Sequence, residues 1–173
     1  VNRNTKVKVH KIYIEGNKVL SDNKIKRTMK KTNENGNILN IFKQKKFVES
    51  DYADDKNRII QKYNELGYRD AKIVSDSVVK YNDDRVDVYI KVDEGKKYYI
   101  SDISWVGNTI YSTDMLQQVL DIYPGDVYNQ KRLNKRTQDD EDAVSSLYLD
   151  NGYLFFQLVP IEENIKGDSI ALQ

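Results

Sequence analysis

A helix that ends at a glycine and continues into a strand stands out in residues 57–73. Ile59, Tyr63 and Leu66 recur at spacings of four and three residues, which places them on one face of a helix. Gly67 follows the last apolar position, where helices commonly end on a left-handed glycine. A single junction of this kind is ordinary in α+β domains, so its meaning depends on whether it recurs.

The junction does recur, 85 residues later, where Tyr148 replaces Tyr63 and Gly152 replaces Gly67. An upstream signal repeats as well: Gly16-Asn17 closes an apolar strand pattern, and Gly107-Asn108 closes another 91 residues later. Two signals in the same order with similar offsets identify a tandem repeat. We therefore predict two domains, residues 1–95 and 96–173, with a longer loop in the first.

The composition fits small domains with much exposed surface. Of the 173 residues, 39% are hydrophobic and 32% are charged, and there is no cysteine, which excludes disulfides. No stretch approaches the roughly 20 apolar residues that cross a bilayer. The sequence shows no signal peptide, so we expect an internal fragment of a longer protein, with residues 1–6 the tail of a preceding repeat and the last strand cut short.

The charge is unevenly divided between the two domains. Residues 1–95 hold 21 Lys and Arg against 15 Asp and Glu, whereas residues 96–173 hold 7 against 12. A nucleic-acid-binding protein is usually basic along its whole contact face. We therefore expect no nucleic-acid partner.

The residue patterns predict the same β-α-α-β-β order in each domain. In the first domain the predicted elements are strand 7–15, a short helix from Ser21, helix 52–66, and strands 72–80 and 84–92. In the second they are strand 98–106, a short helix from Ser112 or Thr113, helix 129–149, strand 155–161 and a strand from Ser169. Each domain is thus an α+β fold, a three-stranded sheet covered on one face by two helices.

Two details of the strands sharpen this prediction. Val9 is out of phase with Ile12 and Ile14, and Ile100 precedes Ile103 in the same way, which suggests a bulge in each first strand. If the first strand pairs on the far side of the third, the second strand keeps one free edge.

No arrangement of residues points to catalysis. The one histidine, His10, lies in a predicted strand and is interpreted as a surface residue. The acidic clusters at 54–55 and 139–142 are interpreted as charges in the first turns of helices, where they complement the helix dipole. We predict no catalytic residue, no metal site and no cofactor.

The ordered motifs resemble the polypeptide-transport-associated (POTRA) repeats of BamA-type outer-membrane protein assembly factors. The matching segments are Ile12–Asn17, Tyr63–Tyr68 and Val92–Gly95 in the first copy, and Trp105–Asn108 and Tyr148–Tyr153 in the second. The resemblance covers nearly the whole chain. The longer loop of the first copy resembles that of a third repeat, which would make these repeats the third and fourth of the parent protein.

The resemblance implies a place on the periplasmic side of the outer membrane of a Gram-negative bacterium, in a parent protein anchored by a C-terminal outer-membrane barrel. The implied partners are unfolded outer-membrane proteins and accessory lipoproteins of the assembly complex, and we expect the fragment itself to be monomeric. A POTRA-type structural module of a two-partner-secretion or cell-division protein is the alternative.

Three groups of residues follow as predicted sites. Extended clients are expected to pair with the first hairpin strand of each domain, at Lys72, Ile73, Val74, Ser75, Asp76, Ser77, Val78 and Val79, and at Phe155, Phe156, Gln157, Leu158 and Val159. A partner or membrane surface is expected at Leu39, Phe42, Lys43, Lys45, Lys46 and Phe47. Structural turns are expected at Gly16, Asn17, Gly67, Tyr68, Gly107, Asn108, Gly152 and Tyr153.

Overall fold

The computed structural model describes residues 7–34 and 46–173. These residues form two compact units. Unit 1 holds the described residues up to Tyr63 together with Asp70–Gly95, and unit 2 holds Asn64–Arg69 and Lys96–Gln173. Each unit contains one three-stranded sheet with helices, as the sequence predicts.

Unit 1 follows the predicted β-α-α-β-β order. Its elements are β1 (Lys8–Glu15), α1 (Asp22–Thr28), α2 (Glu49–Glu65), β2 (Lys72–Asn82) and β3 (Arg85–Asp93). The strand order is β1-β3-β2, with β1 parallel and β2 antiparallel to the central β3. Both β1 and β2 are therefore edge strands of the sheet.

The core of unit 1 explains these elements. Val88, Ile90 and Val92 are buried on one face of β3, while Tyr89 between them is exposed. They pack with buried residues of β1 and of the helices, including Tyr63, which is fully buried. The predicted bulge is present as a register shift between Val9 and Lys11, so apolar residues on both sides of it reach the same core.

Unit 2 repeats the topology with shorter elements. They are β4 (Tyr99–Ile103), α3 (Thr113–Leu120), α4 (Gln130–Asn134), α5 (Val144–Leu149), β5 (Glu162–Lys166) and β6 (Ser169–Leu172). The strand order is β4-β6-β5, and the predicted bulge lies between Ile100 and Asp102. The core contains Leu116, Tyr148 and Ile170 at its centre.

The prediction of one long helix over residues 129–149 is wrong. A π-helical turn, Lys135–Asp139, follows α4, and the backbone is extended at Asp140 before α5 begins. Arg136 binds Asp142 at 2.7 Å and Asp140 at 3.5 Å across this break. Arg136 therefore binds two carboxylates of the acidic run at 139–142.

The predicted strand over residues 155–161 is also absent, and β5 begins later, at Glu162. In the antiparallel register of β5 and β6, Ile161 exchanges two main-chain hydrogen bonds with Gln173, both 2.9 Å long. Residues that precede Ile161 therefore have no residue of this sequence opposite them. Without a partner strand, alternating apolar residues do not form a ladder.

Among the described residues, no helix has the length and apolar character that would let it span a membrane.

Candidate functional site

β2 is an open sheet edge. It is 11 residues long and pairs with β3 in an unbroken register from Ser75, opposite Lys91, to Lys80, opposite Val86. Alternate residues of such a strand point their main-chain N–H and C=O groups away from the partner strand. Within the described part of the chain, no main-chain group pairs with that outer side. β2 therefore offers a template for a further strand.

The eight predicted residues of the first-domain site all lie in β2. Seven are exposed and Ile73 is partly buried. A register shift between Ile73 and Ser75 makes Val74 a bulge residue. The continuous part of the candidate edge accordingly runs from Ser75 to Lys80.

Two charged side chains of β2, Asp76 and Lys80, form ion pairs beside the open edge. Asp76 lies opposite the buried Ile90, on the helix-facing side of the sheet, and binds Lys56 of α2 at 2.9 Å. Lys80 binds Asp83 at 2.7 Å and lowers the pKa of that carboxyl. Charged side chains on an edge strand discourage nonspecific pairing with the edges of other sheets.

The opposite edge of this sheet, β1, is bonded at Ile12 and just before its first residue. The Ile12 N–H donates to Glu34 Oε1 at 2.7 Å, and the Phe47 N–H donates to the Val7 carbonyl at 2.7 Å. Lys26 Nζ holds the same Glu34 oxygen at 2.6 Å. Within residues 7–34 and 46–173 the two edges therefore differ: the Ile12 N–H of β1 is bonded by a side chain, whereas no main-chain group pairs with the outer side of β2.

The second sheet has no comparable edge in unit 2. The outer side of β4 is bonded through Ile100, whose N–H donates to the Asp126 carbonyl at 2.8 Å and whose carbonyl accepts from Gly125 at 2.7 Å. β5 has five residues, with a register shift after Glu163 and a left-handed Asn164 with φ +46°. An irregular strand of this length is a poor template for pairing.

The predicted second-domain site is not an edge strand. Phe155, Phe156, Gln157, Leu158 and Val159 form a loop, in which Phe155 is 97% exposed and Phe156 stacks on Tyr148 at 3.8 Å. The first four line a cavity of about 530 Å³, with Trp105 and Ile110 on another wall. An adjoining cavity of about 410 Å³ shares Trp105 and Leu158 and extends to Val159.

Two buried carboxylates position the elements of unit 1, in roles that the sequence pattern does not predict. Asp55 is fully buried and accepts hydrogen bonds from the N–H groups of Lys30, Lys31 and Thr32, at 3.0, 3.0 and 2.6 Å. Arg58 Nη1 binds it at 2.6 Å. Asp55 thus ties the segment after α1 to α2. Its position in the sequence had instead predicted an exposed charge that complements the helix dipole.

Glu94 is the second buried carboxylate, with 8% of its surface exposed. Its Oε1 accepts from the N–H groups of Lys18 and Val19, both at 2.9 Å, and from the Tyr63 hydroxyl at 2.9 Å. The end of β3 is thereby joined to the turn after β1 and to α2. The Glu94-Gly95 pair was the only sequence signal for this contact.

The predicted turn residues lie in equivalent turns of the two sequence repeats. The four glycines have positive φ angles, +84° at Gly16, +94° at Gly67, +81° at Gly107 and +90° at Gly152. The Asn17 and Asn108 amides donate to the carbonyls of Leu20 and Tyr111, at 2.8 and 3.2 Å. Tyr68 is partly buried, and Tyr153 packs edge-on against Tyr148.

The predicted partner or membrane-surface segment lies mostly outside the described residues, which exclude Leu39, Phe42, Lys43 and Lys45. Lys46 is exposed, and Phe47 is partly buried with its ring 5.8 Å from that of Tyr52.

Comparison with known proteins identifies a family model that matches this chain and several proteins with similar sequences. The family model POTRA, "Surface antigen variable number repeat", matches residues 7–95 and 98–172. The outer membrane protein assembly factor BamA of Neisseria meningitidis is 32% identical over 101 residues, 55% of this chain and 12% of that protein. A putative outer membrane protein assembly factor of Treponema pallidum is 28% identical over 150 residues, 84% of this chain and 17% of that protein.

A solved structure shares the fold. The crystal structure of POTRA domains 3–5 of Haemophilus influenzae BamA has a TM-score of 0.62 and 20% identity, and the match covers 96% of this chain and 59% of that one. The chain spans less than a fifth of the length of the two curated relatives named above.

Proposed function

The chain belongs to the POTRA family, and from this premise we propose that it is the client-binding region of a BamA-type outer-membrane protein assembly factor. In this proposal it lies on the periplasmic side of the outer membrane of a Gram-negative bacterium. It binds unfolded outer-membrane proteins as extended strands along β2. It acts as an interaction module rather than as an enzyme.

The observation that carries this proposal is the difference between the two edges of the first sheet. The N–H of Ile12 on β1 is bonded to Glu34, whereas β2 has an unbroken register from Ser75 to Lys80 and an open outer side in the described chain. An edge left open while its counterpart is covered is available for β-augmentation.

Main-chain pairing suits a module that accepts many clients. The hydrogen bonds of a β-ladder involve groups that nearly every residue carries, so recognition depends little on sequence. Val78 and Val79 lie on opposite faces of β2 and are 39% and 49% exposed. An added strand with alternating side chains therefore finds an apolar neighbour on either face.

The experiment is an NMR titration of the isotope-labelled chain with a peptide of about ten residues that alternates valine and threonine. Alternate β2 amides between Ser75 and Lys80 should gain protection from hydrogen exchange, and those of β1 should not. A peptide of the same sequence, N-methylated at every residue, is the matched control because it keeps the side chains but has no main-chain N–H to donate from either edge. Equal binding of both peptides, or protection of β1 alone, would contradict the proposal.

The proposal also includes docking of accessory lipoproteins, with residues 39–47 as the predicted contact segment. Its test is charge reversal at Lys43, Lys45 and Lys46, measured as binding to the isolated lipoproteins of the assembly complex at low salt, where exposed charges interact most strongly. Weaker binding by a folded variant is expected, and unchanged binding would remove this segment from the interface.

A further inference from the structure

Two tyrosine rings stack on the outer face of the first sheet, the face opposite its core. In β3 the side chains of Val88 and Ile90 are buried, so Tyr89 between them points to the outer face. Tyr13 of β1 lies beside Tyr89 in the parallel register, and the two rings stack with centroids 4.8 Å apart and planes at 11°. Tyr13 and Tyr89 are 41% and 42% exposed, so the stack lies at the surface.

The stack stops at Tyr89 because β2 carries a small side chain at the next place. In the antiparallel register of β2 and β3, the exposed Ser77 lies opposite Tyr89. Neighbouring strands lie about 4.8 Å apart, which matches the spacing of the two rings, so the next place in the row is above Ser77. Among the described residues, no third ring stacks on this pair. The Tyr89 ring is therefore open on the side of β2.

A second aromatic pair, nearer the turn between β2 and β3, shows how this sheet fills such a place with its own residue. His10 of β1 binds Asp87 of β3 at 2.9 Å, and the Tyr81 ring of β2 stacks on the His10 ring at 3.8 Å. Asp87 and Tyr89 are two residues apart in one strand and so lie on the same face. β2 thus supplies a ring in this row, whereas at Ser77 it supplies none.

The fold of the repeat does not require the tyrosine stack. The offset of 91 residues places Ser104 at the position of Tyr13 in the second repeat. The Ser104 N–H donates to the Leu172 carbonyl at 2.8 Å, so the parallel pairing continues there without a ring. Exposed tyrosines that the fold does not need are suited to recognition, because they offer a large apolar surface with a polar tip.

We propose that Tyr89 and Ser77 form an aromatic slot, a place for one aromatic side chain of the extended strand that pairs with β2. This inference rests on the proposed function and adds a side-chain preference to it. The aromatic residue lies opposite Ser77 in the added ladder and folds back over this serine, as aromatic residues do over small residues of a neighbouring strand. Its ring stacks on Tyr89 as the third member of the row.

The position of the slot favours a ring carried by a strand over a free aromatic molecule. Ser77 forms the floor, and it lies within the continuous register from Ser75 to Lys80 along the open edge. Main-chain hydrogen bonds on both sides of the aromatic residue hold its backbone in place, so little further freedom is lost when the ring stacks. An aromatic ring is preferred over an aliphatic side chain because stacked rings attract each other beyond the effect of area burial.

The test compares two peptides that differ in one side chain. Both have the alternating valine–threonine sequence, with one central threonine replaced by phenylalanine in the first and by leucine in the second. Hydrogen exchange at the β2 amides shows whether each peptide pairs with the edge, and calorimetry gives its Kd. The phenylalanine peptide should bind about fivefold more tightly than the leucine peptide. Its ring protons should show nuclear Overhauser contacts to the ring of Tyr89.

Two variants identify the ring that carries the preference. Tyr89→Val keeps a residue suited to a strand but removes the ring, and it should reduce the ratio of the two Kd values to about one. Tyr81→Val removes another exposed tyrosine, whose ring stacks on His10, and should leave the ratio at about five. The readout is a ratio, so a loss of stability that weakens both peptides equally does not affect it.

The outcomes separate the slot from the edge. Equal Kd values for the parent chain, with β2 amides protected by both peptides, would overturn the slot and leave edge pairing intact. Protection of β2 by neither peptide would overturn edge pairing and the slot with it. A ratio unchanged in Tyr89→Val would show that Tyr89 does not select the ring. Contacts between phenylalanine and Tyr89 without protection of β2 would overturn the paired strand as its carrier.

Discussion

The main-chain N–H of Ile12 donates to the Glu34 carboxylate at 2.7 Å, which closes the outer side of β1 at that residue. The sheet of unit 1 therefore has one edge bonded by a side chain and one, β2, whose outer side is open in the described chain. Which edge is covered depends on a contact across 22 residues of sequence rather than on any strand pattern.

Glu34→Ala should uncover β1 without altering β2. The lost hydrogen bond to a charged group should lower the free energy of unfolding by about 1–2 kcal/mol, and the Ile12 amide should exchange faster with solvent. Glu15→Ala, at an exposed position at the end of the same strand, is the control. Hydrogen exchange and urea denaturation measure both effects, and identical Ile12 exchange in the two variants would show that Glu34 does not cover the edge.

Glu94→Gln should destabilise unit 1 by roughly 1.5–3 kcal/mol, because a neutral amide replaces a buried carboxylate that accepts three hydrogen bonds. Glu15→Gln is again the exposed control. Urea denaturation followed by circular dichroism reports the loss, while Trp105 fluorescence reports unit 2 alone. Equal midpoints for the two variants would contradict the structural role of Glu94.

Asp55→Asn should destabilise unit 1 by about 3 kcal/mol, because Asp55 is fully buried and holds three N–H groups and Arg58. Asp54→Asn is the adjacent control. Asp54 is exposed, and Lys31 beside it lowers the pKa of its carboxyl. Asp54→Asn should change the free energy of unfolding little. In thermal denaturation, Asp55→Asn should therefore unfold at a clearly lower temperature than Asp54→Asn.

Gly16→Ala and Gly107→Ala form a matched pair with similar φ angles of +84° and +81°. Both add backbone strain, of about 1–2 kcal/mol. Only Gly16→Ala also places a methyl group 2.0 Å from a carbonyl oxygen. It should therefore lower the free energy of unfolding by at least about 1 kcal/mol more than Gly107→Ala does. If both variants lose the same free energy of unfolding in urea denaturation, the close approach of Gly16 to Val92 does not contribute to stability.

Local periodicity predicted much of the fold. The spacing of Ile59 and Tyr63 placed both on the buried face of α2, and the alternation in β3 placed Val88 and Ile90 in the core. The shared phase break in the first strand of each copy predicted both bulges. Each of these features depends on the spacing of residues within about ten positions of one another, so the sequence pattern is sufficient to predict it.

Contacts between distant residues were not predictable in the same way. In the sequence, Asp55 looks like any acidic residue near the start of a helix. Its role depends on residues 30–32, which donate three N–H groups to it only in the folded chain. The apolar alternation at 155–161 has strand character, but a strand also requires a partner, and the register with β6 provides none before Ile161. Arg136 precedes the helix break at Asp140 and binds the carboxylates of Asp140 and Asp142, a pairing that the helical spacing of the sequence does not predict.

Proline substitution at each position from Ser75 to Lys80 tests whether an extended client pairs with the open edge of β2. Proline removes one N–H, so positions that face β3 should lose stability, while those that face outward should stay folded. Circular dichroism identifies the folded variants, and the Kd for the alternating valine–threonine peptide is then measured for each. We expect a pattern with a period of two residues, in which each folded variant binds about fivefold more weakly, corresponding to about 1 kcal/mol per hydrogen bond. If every folded variant binds the peptide with the Kd of the parent chain, β2 is not the client edge.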